Sequence, residues 1–478
     1  MDECSARSSH HSTVLNCAPE VPALALDIRS IRAAESSGSV IHTLRARPAL
    51  FLRLFDIDMK NTRVFPTASI PSTGEIESGH GPMKIGYSAS RKLFILASLL
   101  FSWILANADR IAMTISIIPI SKEFGLDSKS AGYVLSAFYV SYALVQLVAG
   151  WLSDRFGSKG VLIGCVATWS IFTGLTGMAS SLAVLLVIRF LFGLGEGGFS
   201  PASTVTIAEV FPKKERARAK SLVIGAIFIG GAAGTGSIAA LINAHGWRFA
   251  YHVLGLIGLV MALILWYAIK DVRPRSAAKP GEKSAPKFRT LARMSIMRKT
   301  TMIFFFSNIV LIGLMSWMPT FLVKTKNIDI IHVGVASAIP YVVAFISLNV
   351  VGWLLDKVGH GRERLFMAVG GFCIVLFLGL MTMSDSLTVL LTFWTLSMVG
   401  YTMVYGTIYA IPLKHLPDEM VGTAAGVINF GGQCAAAVAP ATIGLLVGHS
   451  HGSFTSAFLF LLCSGVGVFL VALTWRVE

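Results

Sequence analysis

The sequence predicts an all-α membrane protein of twelve transmembrane helices in two similar six-helix bundles. Three observations lead to this fold class: an apolar composition, twelve long apolar segments, and short motifs that recur in the second half of the chain. Hydrophobic residues make up 54% of the 478 residues and charged residues only 14%, whereas roughly a quarter of a soluble domain is charged. One water-soluble core cannot bury so much apolar surface, so we expect the chain to lie in a lipid bilayer.

Charge and cysteine patterns argue against two other classes of ligand. A formal net charge of +15 would indicate nucleic acid as a partner of a soluble protein. Here Lys and Arg lie between apolar segments, so the positive-inside rule accounts for them better, and no nucleic-acid partner is expected. Four cysteines lie within apolar segments without disulfide or metal spacing, and we expect neither a metal nor another cofactor: Cys165, Cys373, Cys434 and Cys463.

The chain divides into four parts by composition. Residues 1–82 are polar, Ser-rich and irregular, without the regions of a signal peptide, and are expected to be a disordered tail, or untranslated if the protein starts at Met83. An N-terminal bundle (83–269), a basic linker (270–299) and a C-terminal bundle (300–478) follow. Each bundle holds six apolar segments near the ~20 residues that span a bilayer. Numbered 1 to 12, the segments are 93–120, 131–152, 161–179, 182–210, 217–243, 247–269, 301–323, 333–355, 365–383, 387–412, 421–447 and 453–474.

Basic residues concentrate in one set of loops. Besides the linker, the Lys- and Arg-rich loops are 154–159, 212–220 and 356–364, and all lie on one face if the segments alternate across the membrane. The loops of the other face are short and nearly free of Lys and Arg, with "VKTKNID" (323–329) as the exception. The positive-inside rule predicts that the basic face, with the linker and both termini, is cytoplasmic. We therefore expect a multi-pass protein of the plasma (inner) membrane.

Two short motifs recur at matching places in the two halves. "GWLSDRFG" (150–157) and "GWLLDKVG" (352–359) each follow the second segment of their half, and "FPKKERARAKSLVIGAIFIGG" (211–231) corresponds to "LPDEMVGTAAGVINFGG" (416–432). Both pairs are about 200 residues apart, which predicts two similar bundles in the same orientation, related by an axis along the membrane normal. A solvated cytoplasmic turn is the alternative for one copy alone, and a second copy at the matching place argues against it. Two copies predict a gating motif made of Gly150, Asp154, Arg155, Gly157, Asp356 and Lys357.

These motifs resemble those of a known family. G-x-x-x-D-R-x-G-x-K at 150–159 is similar to the signature between helices 2 and 3 of the major facilitator superfamily, and the resemblance covers about residues 90–475. Three stretches further resemble the anion:cation symporter family of organic-acid transporters, which includes sugar-acid permeases: "ADRIAMTISIIPI" (108–120), "RFLFGLGEGGFSPA" (189–202) and "FPKKERARA" (211–219). The resemblance implies the major facilitator fold and proton-coupled uptake of an organic anion by alternating access.

Charged residues inside apolar segments indicate the functional site. Segment 1 holds Asp109 and Arg110, and segment 4 holds Arg189 and Glu196, which are seven residues apart and so share a helix face. An intramembrane charge is costly unless it faces a polar cavity or a partner. The planar fork of an arginine suits a carboxylate, and a buried acid can bind and release protons. The residues therefore suggest that Arg110 holds the substrate carboxylate while Asp109 and Glu196 carry protons.

The resemblance implies these same roles for the helix-1 arginine and the two acids. The alternative is a static network, with Asp109 bonded to Arg110 or Arg189 bonded to Glu196, that only fixes segments 1 and 4 together. Arg189 is predicted as the charge partner within segment 4.

Uncharged polar residues are weaker candidates for substrate contacts. Tyr142 matches a tyrosine that touches substrate in the resembling family, with ordinary packing as the alternative. An unpaired amide side chain raises the free energy of a helix in lipid, so we expect Asn429 and Gln433 in segment 11 to face the cavity. The alternative is that they form contacts between helices. Asn107 departs from the family, whose sugar-acid carriers often have tyrosine at this position, and leaves room for aromatic or other carboxylates.

Two further function classes compete with an importer. A proton-driven exporter of drugs or metabolites often has fourteen helices or an extra motif in segment 5, and the Gly-rich stretch 225–242 lacks the proline expected there. A membrane enzyme or sensor would need a His, Asp or Cys constellation at the membrane face, or a soluble domain, and the eleven histidines are scattered. We therefore expect a carrier and not an enzyme, working as a monomer in the bilayer with a small organic anion and protons.

Overall fold

The computed structural model describes residues 87–476, apart from 147, 149–151, 153–155, 271–290, 292 and 359–360. Every regular element in this part of the chain is a helix. The helices are α1 (Ala89–Phe124), α2 (Ser128–Gln146), α3 (Ser158–Thr176), α4 (Leu182–Glu196), α5 (Phe199–Val210), α6 (Lys213–Ala268), α7 (Ser295–Lys326), α8 (Ile330–Val358), α9 (Glu363–Thr382), α10 (Leu387–His415), α11 (Asp418–His449) and α12 (Thr455–Thr474).

Each predicted segment coincides with a helix, with two differences in how the helices divide. Segment 4 is two helices, α4 and α5, which are separated at Gly197 and Gly198. Segments 5 and 6 form the single element α6, which turns sharply at Gly246. The φ angle of Gly246 is 83°, a left-handed conformation that favours glycine. The element α6 therefore consists of two helical parts, one on each side of Gly246, and each part crosses the membrane.

The length and hydropathy of the helices account for twelve crossings. In the described residues, ten stretches are long and apolar enough to span a membrane, and one of them, Gly225–Ala268, has 44 residues. At 1.5 Å per residue, this stretch is long enough for two crossings. The twelfth crossing is α2, whose hydropathy is lowered by its many Ser and Tyr side chains. The predicted twelve-helix fold class is confirmed in this form.

The helices extend past the apolar segments because polar residues continue them at both ends. Ser88 caps α1 by accepting a hydrogen bond from the Arg91 backbone N–H, and Gly125 ends it in the left-handed conformation, with φ at 61°. Likewise α7 begins at Ser295, inside the predicted linker. The predicted tail (1–82) and most of the linker lie outside the described residues, so the division into domains stays a prediction.

The internal repeat is visible in one pair of equivalent contacts. In the N-terminal half, the Ser158 hydroxyl at the start of α3 donates to the Glu209 carboxylate near the end of α5. In the C-terminal half, Lys414 near the end of α10 donates to Glu363 at the start of α9 over 3.3 Å. Both partners are shifted by one common offset of about 200 residues, as expected for two similar bundles.

The two halves meet along α2 with α11 and along α6 with α8. The contact is tightest toward the face where α2 begins, which lies opposite the linker. A Cβ atom on Gly132 would lie 2.8 Å from the Pro440 carbonyl oxygen and 3.1 Å from the Gly444 Cα. The Ser136 hydroxyl accepts a 2.9 Å hydrogen bond from the Ala441 backbone N–H. The halves are therefore closed against each other on the face opposite the linker.

Candidate functional site

Arg110 and Glu196 form an ion pair at the centre of the N-terminal half. The Arg110 Nε donates to Glu196 Oε1 over 3.0 Å, and Nη2 of the same guanidinium also contacts that oxygen. Glu196 is 1% exposed and Arg110 is 17% exposed, so the arginine faces open space and the acid lies behind it. The second oxygen, Oε2, has no hydrogen-bond partner among the described residues. The pair therefore retains spare bonding capacity, as a centre that exchanges ligands or protons needs.

Two aromatic side chains of α2 support the arginine. The Arg110 Cζ lies 5.1 Å from the ring centroid of Phe138 and 4.8 Å from that of Tyr142. Such cation–π contacts orient the plane of the guanidinium. The predicted substrate residue Tyr142 is thus a neighbour of Arg110, and its hydroxyl also lies beside the Gln146 amide. The N–H edge of Arg110 is left to meet Glu196 or an incoming anion.

Glycines in α4 allow Glu196 to approach the arginine. A Cβ atom on Gly193 would lie 2.1 Å from the Ser141 hydroxyl oxygen and 2.4 Å from the Phe138 carbonyl oxygen, both on α2. A Cβ atom on Gly195 would lie 3.0 Å from the backbone nitrogen of Trp169 on α3. Because backbone atoms cannot move aside, α4 fits between α2 and α3 only without side chains at these positions. Glu196 lies three residues after Gly193, in the last turn of this closely packed helix.

Asp109 faces a different helix from Arg110. Successive residues of an α-helix point about 100° apart, and Asp109 is directed into the bundle, where it is 1% exposed. Its Oδ2 accepts a 3.1 Å hydrogen bond from the Thr173 hydroxyl on α3. Its Oδ1 has no partner in the described part of the chain. Asp109 and Arg110 are therefore adjacent in sequence but belong to separate sets of contacts.

Arg189 completes a buried charge cluster behind the ion pair. Its Nη2 donates to the Thr176 hydroxyl over 2.7 Å, and its Cζ lies 4.5 Å from the Phe192 ring centroid and 5.5 Å from that of Tyr251. Asp109 is within electrostatic reach of both Arg189 and Glu196. The observed ion pair, Arg110 with Glu196, differs from both static pairs that the sequence left open.

The C-terminal half contributes polar and aromatic side chains opposite this cluster. Asn429 donates from its Nδ2 to the Gln146 Oε1, which joins α11 to α2 across the two halves. Gln433, one turn further along α11, is half-buried. The tilted rings of Tyr405 and Tyr409 on α10 pack with their centroids 5.0 Å apart and lie within electrostatic reach of Tyr142. The residues predicted to contact substrate therefore come from both halves.

A small cavity opens beside Arg110. It measures about 20 Å³, which is room for a single water. Its lining joins residues of both halves, among them Arg110, Tyr139, Arg189 and Ser316. Among the described residues, no group of three or more His, Cys, Asp or Glu side chains could hold a metal ion. A carboxylate ligand would need the halves to separate on one face, as expected of a carrier that opens alternately.

Asn107 lies away from this cavity. Its Nδ2 donates to the Trp103 carbonyl of its own helix over 2.8 Å. Its Cβ is 3.0 Å from the Cβ position of Gly230 on α6, so the side chain faces α6 inside the bundle. The difference between Asn107 and the tyrosine that is frequent in the resembling family therefore concerns the packing of α1 against α6. Among the described residues, no hydrogen bond joins Asn107 to Arg110.

The described part of the first gating motif is its turn. Gly157 precedes α3 with φ at 79°, a left-handed conformation that favours glycine. The other residues predicted for this copy of the motif lie outside the described residues: Gly150, Asp154 and Arg155.

A buried acid that sequence reasoning missed lies just after the second copy of the motif. Asp356 and Lys357 are exposed at the end of α8, and the Lys357 Nζ lies 4.9 Å from the Trp353 ring centroid. The buried acid at this end is Glu363, which is 1% exposed and pairs with Lys414 at 3.3 Å. Glu363 occupies the place in the C-terminal half that Ser158 occupies in the N-terminal half. This equivalence was the signal in the sequence that could have identified Glu363.

Comparison with known proteins agrees with this architecture. The family model described as Major Facilitator Superfamily matches residues 94–440. A bacterial homolog of the human lysosomal transporter Spinster, solved in an inward-facing and unoccupied conformation, superposes with a TM-score of 0.69 at 19% identity. The superposition covers 81% of this chain and 98% of that one, which shows the shared fold.

Several curated relatives are similar over most of their length. A probable sulfoacetate transporter of Cupriavidus necator is 28% identical, over 76% of this chain and 89% of its own. A hexuronate transporter of Bacillus subtilis is 27% identical, with 79% and 92% covered. A probable galactarate/D-glucarate transporter of Escherichia coli is 29% identical, with 75% and 88% covered. With its twelve crossings and the family match over most of its length, the chain belongs to the major facilitator superfamily and is a multi-pass membrane transporter, not an enzyme.

Proposed function

We propose that the protein is a proton-coupled symporter that imports a small organic anion by alternating access. The observation that carries the proposal is the ion pair of Arg110 and Glu196, with the arginine toward the cavity and the acid buried behind it. Three of the similar relatives are named for sulfoacetate, hexuronates, and galactarate and D-glucarate, all of which are organic acids. The proposed substrate class is therefore a small organic acid.

Competition for one arginine links substrate to proton. A carboxylate that binds the Arg110 fork takes donors that Glu196 occupies in this structure. A Glu196 side chain separated from Arg110 would lose its ion-pair partner in a site that is 1% exposed, which is costly. We expect it to take up a proton when substrate binds and to release it before the carrier resets. Asp109, held by Thr173 on α3, is proposed as the second proton site.

The remaining polar residues are proposed to complete the substrate site from both halves. Tyr142 packs on the Arg110 guanidinium, so it lies where the carboxylate would arrive. Asn429 and Gln433 approach from α11, and the bond between Asn429 and Gln146 must break when the halves separate on the linker side. We propose Arg189 as the charge that stabilises the two acids from behind.

The proposal includes the orientation of the protein in the membrane and its oligomeric state. The linker and both termini are proposed to face the cytoplasm, because the basic loops share their face. The working unit is proposed to be a monomer in the plasma membrane, with the gating motif between α2 and α3 controlling the movement of the two bundles.

Thermal unfolding of the purified protein in detergent tests the substrate class. The panel contains D-glucarate, D-galacturonate, sulfoacetate and benzoate, with galactitol and galactose as neutral controls of similar shape. We expect at least one anion to raise the unfolding midpoint in a saturable way, because a ligand that binds the folded state stabilises it. A midpoint raised by the neutral sugars and by none of the anions would contradict the proposal.

A further inference from the structure

Lys220 is a half-buried cation that has no acidic partner among the described residues. It lies in the first two turns of α6, and its Nζ is 3.5 Å from the Ser203 hydroxyl oxygen on α5. The same Nζ is 6.0 Å from the ring centroid of Trp103 on α1. None of the ion pairs within the described residues includes Lys220. An ammonium taken out of water usually requires a counter-charge, and here none is supplied by these residues.

Ser203 does not supply the missing charge. Its hydroxyl donates to the Ser200 carbonyl over 2.8 Å, so toward Lys220 it offers only a neutral acceptor. An ammonium has three N–H donors. At most one of the three is used by Ser203, and two remain for another ligand.

Trp103 adds a second donor without an acceptor. Its side chain is 5% exposed, and its indole Nε1 has no hydrogen-bond partner among the described residues. Unpaired buried donors are rare in native structures, because each leaves a polar group without its hydrogen bond. The ring also lies beside the Lys220 ammonium. Two neighbouring donor groups, one of them charged, and no acidic acceptor form a site whose chemical complement is an anion.

The position of these groups relates them to the first site. Trp103 precedes Arg110 by seven residues on α1, so both occupy one face of that helix, two turns or about 10 Å apart. Ser203 follows Glu196 by the same number of residues along α4 and α5. Lys220 comes from the end of α6 nearest the linker face. The donor cluster therefore lies between the Arg110 centre and the linker face.

We propose that Lys220 and the Trp103 indole form a second anion-binding site, which receives a small carboxylate between the Arg110 centre and the linker face. The identity of the carboxylate rests on the proposed function, since the same organic acid would pass from one cation to the next. A second cation along the path lowers the cost of moving a negative charge away from Arg110 through the apolar bundle.

Equilibrium dialysis with radiolabelled D-glucarate on the purified full-length protein counts the sites. We expect about two bound anions per wild-type chain, and one each for Arg110→Gln and Lys220→Met. Lys220→Met keeps the length of the side chain and removes the charge, and Lys220→Arg should retain the second site. Lys92→Met, which removes a cation from the end of α1, is the matched control and should still bind two.

A readout at Trp103 makes the two proposals separable. Sodium acetate, titrated onto Arg110→Gln, should change the tryptophan emission, and the change should vanish in the double variants with Trp103→Phe or Lys220→Met. If acetate acts but no carboxylate binding depends on Arg110, the proposed function fails and the second site stands. If Lys220→Met still binds two D-glucarate anions, or if its acetate response equals that of Lys92→Met in the Arg110→Gln background, the second site is overturned. We expect Lys220→Met to weaken this site at least tenfold.

Discussion

Adjacent charged residues on one helix need not share a partner. Asp109 bonds to Thr173 on α3, whereas Arg110 bonds to Glu196 on α4. The divergence follows from the rotation of about 100° between successive helical residues. It places the acid inside the bundle and the arginine at the cavity, so the proposed proton site and the proposed anion site lie side by side without forming an ion pair with each other.

The geometry of Arg110 predicts that lysine cannot replace it. Arg110→Lys keeps the charge but loses the planar fork and its stacking on Tyr142. We expect carboxylate binding to weaken by about 1–3 kcal/mol, or roughly 5- to 150-fold, measured by calorimetry with the best anion of the panel. Arg248→Lys, in the 42% exposed pair with Glu123, is the control and should bind as the wild type. Unchanged affinity in Arg110→Lys would show that the fork is not used.

Sequence reasoning could identify the intramembrane charges but not their pairing. Arg110, Glu196 and Arg189 were candidates because charges are rare in apolar segments. Which arginine meets Glu196 depends on helix rotation and on the close approach at Gly193, and neither is readable from one segment alone. The supporting residues Thr173 and Thr176 carried no signal, because hydroxyl side chains are common in membrane helices and usually bond to their own backbone.

Among the elements, α4 shows how glycine positions control the packing of a functional helix. Gly193 lies against the backbone of α2, and Gly197 and Gly198 separate α4 from α5. The sequence predicted one continuous segment here, because apolar residues flank the glycines on both sides. The hydropathy therefore stays high across the position where α4 ends. The break directly follows Glu196, so the turn that carries the acid is the last turn of α4.

Gly193→Ala tests this packing with a single methyl group. The added Cβ would lie 2.4 Å from the Phe138 carbonyl oxygen, so α2 and α4 must move apart. We expect a loss of about 1–3 kcal/mol in stability, as for other overpacked sites, seen as a lower unfolding midpoint in detergent. Gly164→Ala on α3 is the control, because nothing lies within 4 Å of its Cβ position. Equal midpoints for the two variants would refute a tight contact at Gly193.

At the scale of the whole molecule, the repeat in the sequence determined most of what could be predicted. Two motif pairs, each separated by about 200 residues, predicted two similar bundles, and the contacts of Ser158 with Glu209 and of Lys414 with Glu363 occupy equivalent places. The repeat could not reveal how the bundles meet. The contact between Gly132 and the Pro440 carbonyl joins residues far apart in sequence, and no periodicity within one segment specifies such a pairing.

The orientation of the molecule can be tested at the linker. In a variant whose six native cysteines are replaced by serine, Ser284→Cys should resist a membrane-impermeant maleimide added outside intact cells. It should react once the cells are lysed, because the basic linker is predicted to be cytoplasmic. Ser386→Cys, in the loop before α10 on the other face, is the control and should label from outside. Strong labelling of Ser284→Cys in intact cells would invert the proposed topology.

The central claim, that Glu196 couples an organic anion on Arg110 to protons, is tested most directly by comparing accumulation with counterflow in proteoliposomes. Glu196→Gln cannot release a proton, but the amide remains a neutral partner beside Arg110. We predict that this variant loses pH-driven accumulation of the labelled anion and retains exchange of labelled for unlabelled substrate. Accumulation against a gradient by Glu196→Gln at the wild-type level would contradict the account and make the Glu196 pair a structural contact.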